Sequence, residues 1–577
     1  MKNIISLSII STLIIVFING CTDKLASSTV ISFKSLNIPT TDIEKKNLQS
    51  SKEININGIA YKLNFNTIMK SGNVDNHEIF GLVKDYQDNP LKLNDGSNYI
   101  CNGTNSGVGS GLDHSSILQK NSKIYMINQF ECPIGALYML ELKQDKKTGI
   151  LSAKKDTLKF ISQKDEFGGY VHCAGQTTPW NSHLGSEEYE SNARFIENFT
   201  GATGDRYYDE TAKFWGNDYN KSNPYYYGWT PEIQIKTDGS TKYTKHYAMG
   251  RFSHELAYVM PDQKTVYLTD DGTNVGLFMF KSDYVQDLSS GTLYAAKLTQ
   301  TSSVNGGKFN VSWINLGHAT DSEIRSFVAK KMKFSEIFDS KSVKDDGSCP
   351  TGFTSINTAT GHECLSVKNE MRKIASRLET RRYAAIMGAT TELRKEEGIT
   401  YDEKNKKLYI AMSSVEKGME DNTKYDIGGN NHIRVKHNYC GAIYELNVDN
   451  ELIATDMDVL VEGEPVAKDL AGNSCNLNKI SNPDNVSMLQ GTDILMIAED
   501  SSKHINNVIW AYNLKDKSLS RIITMPLDAE ATSIFWHKNI NGFSYLTAVT
   551  QHPMREQNTI SSNKESSIGI LGPIQFK

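Results

Sequence analysis

The chain has 577 residues, 38% hydrophobic and 22% charged, a balance that excludes disordered and fibrous classes. Its net charge of −5 provides no basic footprint, so no nucleic-acid partner is expected. With 42 Gly, 27 Tyr and only 13 Pro, the composition favours many short strands over long helices.

The first element is Lys2 followed by an apolar run from Ile4 to Ile18, broken only by Ser and Thr. The run is shorter than the roughly 20 residues of a membrane span and reads as a signal peptide. It ends in Ile18-Asn19-Gly20-Cys21, which resembles a bacterial lipobox, although Asn19 departs from the usual small residue. An ordinary secretory signal cut nearby is the alternative. Either way the mature chain is expected outside the cytoplasm, facing the periplasm or cell surface. Membrane contact is expected only through a lipid on Cys21. The polar stretch 21–52 reads as a flexible tether, and a single catalytic domain is expected over 53–577.

Eight cysteines remain to be sorted. If Cys21 carries lipid, an odd number is left, and an odd cysteine in an oxidising compartment is often a free thiol with a role. Cys349 and Cys364 flank a short Gly/Thr-rich loop and are expected to pair. Cys101 with Cys132 and Cys440 with Cys475 are further candidate pairs. Cys173 is then the free thiol.

Past the tether, one unit recurs: a Gly or Asn turn, an aliphatic–Tyr strand, an acidic end. KIYMINQFE (123–131), TVYLTDDG (265–272), LYIAMSSVE (408–416) and ILMIAEDSS (494–502) carry it. A second set follows each after a polar loop: ALYMLEL (136–142), LFMFKSD (277–283), TLYAAKL (292–298), AIYELNV (442–448) and VIWAYNL (508–514). Alternation with turns between argues antiparallel strands. Repeated pairs predict an all-β chain with helical insertions, a β-propeller; stacked sandwiches are the alternative. The insertions fall near 189–230, polar and aromatic, and 320–396, where apolar residues recur at helical spacing. Both read as lids or braces rather than domains.

Carboxylates close several strands or follow turns: Glu131, Glu187 with Glu188, Asp270 with Asp271, Glu499 with Asp500, Glu255, Glu397 and Asp484. A propeller gathers strand ends at one mouth of its channel. Gathered carboxylates repel unless cations neutralise them. Oxygen ligands select Ca²⁺ or Mg²⁺, and a thiolate adds affinity for a transition metal. Each acidic pair could instead be a solvated turn, and His254 reads as a positioning residue rather than a ligand.

Cys173-Ala-Gly-Gln-Thr-Thr-Pro-Trp180 followed by Leu184-Gly-Ser-Glu187-Glu188 resembles a segment of the PhoX-type alkaline phosphatases. So do Gly250-Arg251-Phe252-Ser253-His254-Glu255, Thr265 to Gly272 with Asp287 to Ala295, Glu397-Gly-Ile, Pro483-Asp484-Asn485 and Gln551-His552-Pro553, in the family's order. The resemblance implies a six-bladed propeller-like fold and an extracytoplasmic phosphomonoesterase acting on a small-molecule phosphoester as a monomer. It further implies two Fe³⁺ with several Ca²⁺ and an oxo bridge, Cys173 bridging the irons. The family's ligand carboxylates fall on Glu255, Asp271 and Glu397, while Glu187, Glu188 and Asp484 match acidic positions. Hydrolysis needs metals at the phosphate oxygens, an activated oxygen nucleophile and relief of charge on the leaving alkoxide. Where the family carries Arg two residues before the E-G-I glutamate, this chain has Lys395, a point charge without the bidentate fork, with Arg394 beside it. Arg251 is a second candidate for the phosphate. A phosphodiesterase, a lactonase-like calcium propeller or a non-catalytic surface-binding lipoprotein would share the scaffold; calcium propellers need carboxylates but no thiolate.

Overall fold

The computed structural model describes residues 29–103, 108–421 and 423–575; the expected signal peptide and Cys21 lie outside them. The turn-separated apolar runs fold as antiparallel sheets taken in chain order. The first comprises 112–120, 123–130 and 136–144, extended by 151–153 and 159–160. The second comprises 176–177, 183–184, 230–235 and 241–246. A long sheet then runs from 254–259 to 396–402, its two halves joined where 308–310 pairs with 456–458. A sheet over 483–524 and one over 530–574 complete the series.

The opening strands of these units follow one another round a closed ring. Residues 112–120 pack on 176–177, 176–177 on 254–259, 254–259 on 396–402, 396–402 on 483–488, 483–488 on 530–540, and 530–540 back on 112–120. This is a β-propeller. One glycine shows how tightly the ring closes: a Cβ on Gly398 would stand 2.8 Å from the Val486 nitrogen and 2.9 Å from the Asp484 carbonyl oxygen. The E-G-I glycine therefore lets two opening strands approach and sets Glu397 beside Asp484.

The N-terminal segment corrects the expectation of a tether reaching residue 52. Residues 31–33 pair with 54–56, 49–50 pair with 523–524, and 65–70 pair with 567–571 as the outer strand of the last sheet. Ile31, Phe33, Ile54 and Ile56 are buried in one apolar cluster. Their alternation is only three or four residues long, too short to stand out against polar neighbours.

The insertions are helical in part. The first holds helices 193–196 and 206–214. The second holds 321–329, 334–337, 372–378 and 380–386, with a three-stranded sheet at 338–341, 354–358 and 361–367. Cys101–Cys132, Cys349–Cys364 and Cys440–Cys475 are disulfides, and Cys173 is free.

Candidate metal centre at the channel mouth

Four opening strands break register near their first residues: between Leu112 and His114, His254 and Ala257, Glu396 and Ile399, and Pro483 and Val486. Each irregularity contains one acid: Asp113, Glu255, Glu397 or Asp484. A bulge re-aims a side chain that regular pleating would send elsewhere, so the ring supplies buried carboxylates from four opening strands. The second sheet supplies the thiol instead. Cys173 precedes strand 176–177, and the Thr-Thr-Pro-Trp turn returns the chain to 183–184. The Trp180 Nε1–H donates to Glu232 at 2.8 Å and holds that turn. A Cβ on Gly175 would meet the Leu184 carbonyl oxygen at 2.9 Å, which accounts for the glycine of this motif.

Ligand atoms of Cys173, Glu188 and Glu255 lie within 4.8 Å of one another. The Cys173 Sγ is 3.9 Å from Asp113 Oδ2. Burial pushes the thiol well above its usual pKa, and Glu255, Asp113 and Glu188 push it further. Burial raises Glu255 likewise, with Glu397, Asp484 and Asp113 adding to it. Asp113 Oδ1 and Glu255 Oε1 are buried without a hydrogen-bond partner. Lys395, at positive φ (51°), places its Nζ 2.5 Å from Glu397 Oε1 and 3.4 Å from Asp271 Oδ1. Burial lowers its pKa, but Asp271 and Glu397 more than reverse this and raise it well above the ordinary value. One ammonium thus sits where the acids demand positive charge. A soft donor among converging, partnerless oxygens fits the metals that the sequence implies.

A second group adjoins the first. Ligand atoms of Glu131, Glu530 and His552 also lie within 4.8 Å of one another. Gln551 Nε2 donates to Glu131 Oε2 at 2.6 Å, and Ser110 Oγ meets His552 Nδ1 at 2.9 Å. Burial raises the pKa of both Glu131 and Glu530, and Asp500, the next charge, raises them further. Sequence reasoning did not assign Asp113, Glu131, Asp500, Glu530 or His552 to the site. Glu131 and Asp500 carried the strand-end signal, and His552 the Q-H-P segment. Asp113 carried the sign shared with Glu255 and Asp484, an acid second in its strand.

Two expected residues stand elsewhere. Glu187 is fully buried, paired to Lys245 at 2.7 Å and accepting from the backbone N–H groups of Gly228 (3.0 Å) and Trp229 (3.1 Å). Successive residues of an extended chain face opposite ways, so only Glu188 joins the centre. Glu187→Ala should cost about 3–5 kcal/mol of stability by stranding the Lys245 charge. Metal content per folded molecule should not change; denaturant unfolding and elemental analysis check both. Arg251 is buried and donates to the carbonyls of Tyr227 (2.7 Å), Ser191 (2.7 Å) and Pro224 (3.0 Å). It braces the first insertion rather than lining either cavity described below. Asp270 is likewise taken up, by Arg381, and His254 Nε2 lies 2.9 Å from the Gly250 carbonyl oxygen, the positioning role expected of it.

Two cavities open on the centre and share Asp500. One, of about 1080 Å³, reaches Glu131, Glu530 and His552; the other, of about 550 Å³, reaches Lys395 and Arg394.

A propeller whose ring gathers a thiol, carboxylates and a lysine at one mouth belongs with the metal-dependent enzymes. A family model described as alkaline phosphatase PhoX matches residues 150–532, more than half the chain. The chain belongs to that family, and with it to the alkaline phosphatases, phosphoric monoester hydrolases. Among solved structures, Pseudomonas fluorescens PhoX in complex with vanadate, a transition state analogue, aligns with TM-score 0.61 and 16% identity, over 94% of this chain and 98% of that one. This likeness supports the propeller fold. Kuenenia stuttgartiensis hydrazine synthase aligns with TM-score 0.33 and 11% identity over 83% and 99% of the two chains, too distant to carry an argument. No curated protein sequence matches the chain.

Proposed function

We propose that this phosphatase works outside the cytoplasm as a lipid-anchored monomer, releasing phosphate from small phosphomonoesters at a centre of two Fe³⁺ and several Ca²⁺. The observation that carries the metal assignment is the approach of Cys173 to Glu188 and Glu255 beside partnerless buried oxygens. Cys173, Glu188, Glu255 and Asp113 would hold the iron pair, the thiolate being the soft donor. Glu397, Asp271, Asp484, Glu131, Asp500 and Glu530 would hold calcium through their carboxylate oxygens. Three disulfides suit an oxidising compartment.

When bound, the metals supply the positive charge that offsets the phosphoryl oxygens and the acidity that readies water for attack. The chain's own residues do the rest. Their carboxylates hold that charge at the end of a deep cleft. Lys395, in the lining of the smaller cavity, is placed to bind a phosphoryl oxygen by swinging from Glu397, as a point charge rather than a fork.

The test is elemental analysis of the purified chain together with p-nitrophenyl phosphate turnover, with and without added calcium. Iron should co-purify, the protein should be coloured, and turnover should rise with calcium. A colourless, iron-free protein whose turnover ignores calcium would sink the assignment.

A further inference from the structure

The larger cavity offers more room than a phosphoryl group fills: about 1080 Å³, against ~300–1,000 Å³ for typical small-molecule sites. Its acidic end is formed by Glu131, Asp500 and Glu530, and Tyr189 and Tyr207 line it as well. Their rings stack with centroids 5.2 Å apart and planes 30° apart. Buried Tyr170 braces both: its hydroxyl donates to the Tyr189 carbonyl oxygen at 2.8 Å, and its ring meets Tyr207 edge-on at 6.5 Å. The Tyr189 backbone N–H is further fixed on Ser253 Oγ at 2.8 Å, yet the residue remains 37% exposed. The Arg206 guanidinium lies over the Tyr207 ring, 5.6 Å from its centroid, and helps to fix it. A rigid aromatic wall loses little freedom when a second ring lies on it. Tyr189 follows Glu188 directly and the wall shares its cavity with Glu131, Asp500 and Glu530, so the alcohol of a phosphoester held at the centre can reach it.

We propose that Tyr189 and Tyr207 form a leaving-group subsite that selects phosphomonoesters whose alcohol carries a planar ring, nucleoside 5′-monophosphates being the class that fits the volume. The proposal rests on the phosphomonoesterase reading and names its substrate class. In the reaction the ester P–O bond breaks, the oxygen of water bonds to phosphorus, and a proton from that water ends on the ribose 5′-oxygen. The products are a nucleoside and inorganic phosphate.

The matched pair for the test is AMP and ribose 5-phosphate, which share the leaving primary alcohol and differ in the base. With metal-loaded full chain, kcat/KM should favour AMP by about 10-fold or more, within what base–aromatic stacking supplies. Tyr207→Ala and Tyr189→Leu should bring the ratio close to one, and Tyr207→Phe should keep it. Adenosine, which has no phosphate, should give saturation-transfer NMR signals from its base with the wild-type chain and lose them with Tyr189→Leu. A wild-type ratio near one, or a ratio unmoved in both aromatic-removing variants, overturns the proposal. Turnover of neither ester while adenosine still binds would instead remove the phosphomonoesterase reading and leave the ring-binding wall standing.

Discussion

Cys173→Ser should abolish visible absorption and lower kcat by at least about 10³-fold, with iron content falling in parallel. The reasoning starts from chemistry. A serine hydroxyl occupies nearly the same volume but ionises far less readily than a thiol, so it is a poor anionic ligand. Cys173 makes no disulfide, so the change removes no cross-link. Around it stand Asp113, Glu188 and Glu255, all buried. Without the thiolate this set loses one anionic ligand to iron and the sulfur donor that would colour the centre, leaving carboxylate oxygens that calcium can also use. Losing an ion that stabilises developing charge is worth several kcal/mol, at about 1.4 kcal/mol per tenfold in rate. Circular dichroism of the metal-free variant should match metal-free wild type. Full activity and colour in the serine variant would refute the thiolate role and return the chain to a calcium-propeller reading, in which the cysteine is only a small buried side chain.

Much of the frame was legible because it obeys local rules. Alternating strands between glycine turns specified an all-β ring, and spacing suggested the three cysteine pairs that form. Cys173 and Glu188 were singled out by the family-like motif that carries both, and the fold brings their ligand atoms together. The site was less legible where position depends on backbone detail. Asp113 reads as an ordinary strand residue until a register break at Leu112–His114 turns it inward. Glu187 and Glu188 look interchangeable in a string, and only the pleat sends one to Lys245 and the other to the centre. Arg251 looked like a phosphate clamp because its partners are carbonyls contributed by the first insertion, which no motif announces. Glu530 opens a strand with no acidic tip and gained meaning only through Glu131 and His552, far away in sequence.

Removing the metals should destabilise the folded chain strongly, and neutralising two ligand carboxylates should restore part of that stability while eliminating turnover. Burial raises the carboxyl pKa of Glu255, Asp484 and Glu530 well above the usual range, and neighbouring acids raise it further. In the unfolded chain the same groups ionise near pH 4. The folded metal-free protein therefore binds more protons than the unfolded one above pH 4. By linkage its stability is fully present below the unfolded pKa and falls as pH rises toward the folded values, by up to about 1.4 kcal/mol per group per pH unit. Bound cations cancel this cost, and each that binds only the folded form adds stability by mass action. Chelation at pH 8 should thus lower Tm by about 10 °C or more, and the chelated protein should melt progressively earlier from pH 5 to pH 9. Glu255→Gln with Asp484→Asn removes two of these charges at nearly constant shape. That double variant should melt higher than chelated wild type at pH 8 and show a flatter pH dependence, yet give no phosphate release after metal is returned. Calorimetry of the two proteins with and without chelator separates the outcomes. If chelated wild type gained stability with rising pH, or if the double variant melted lower than it, the acids would be satisfied by the protein itself and the case for cations at this mouth would fall.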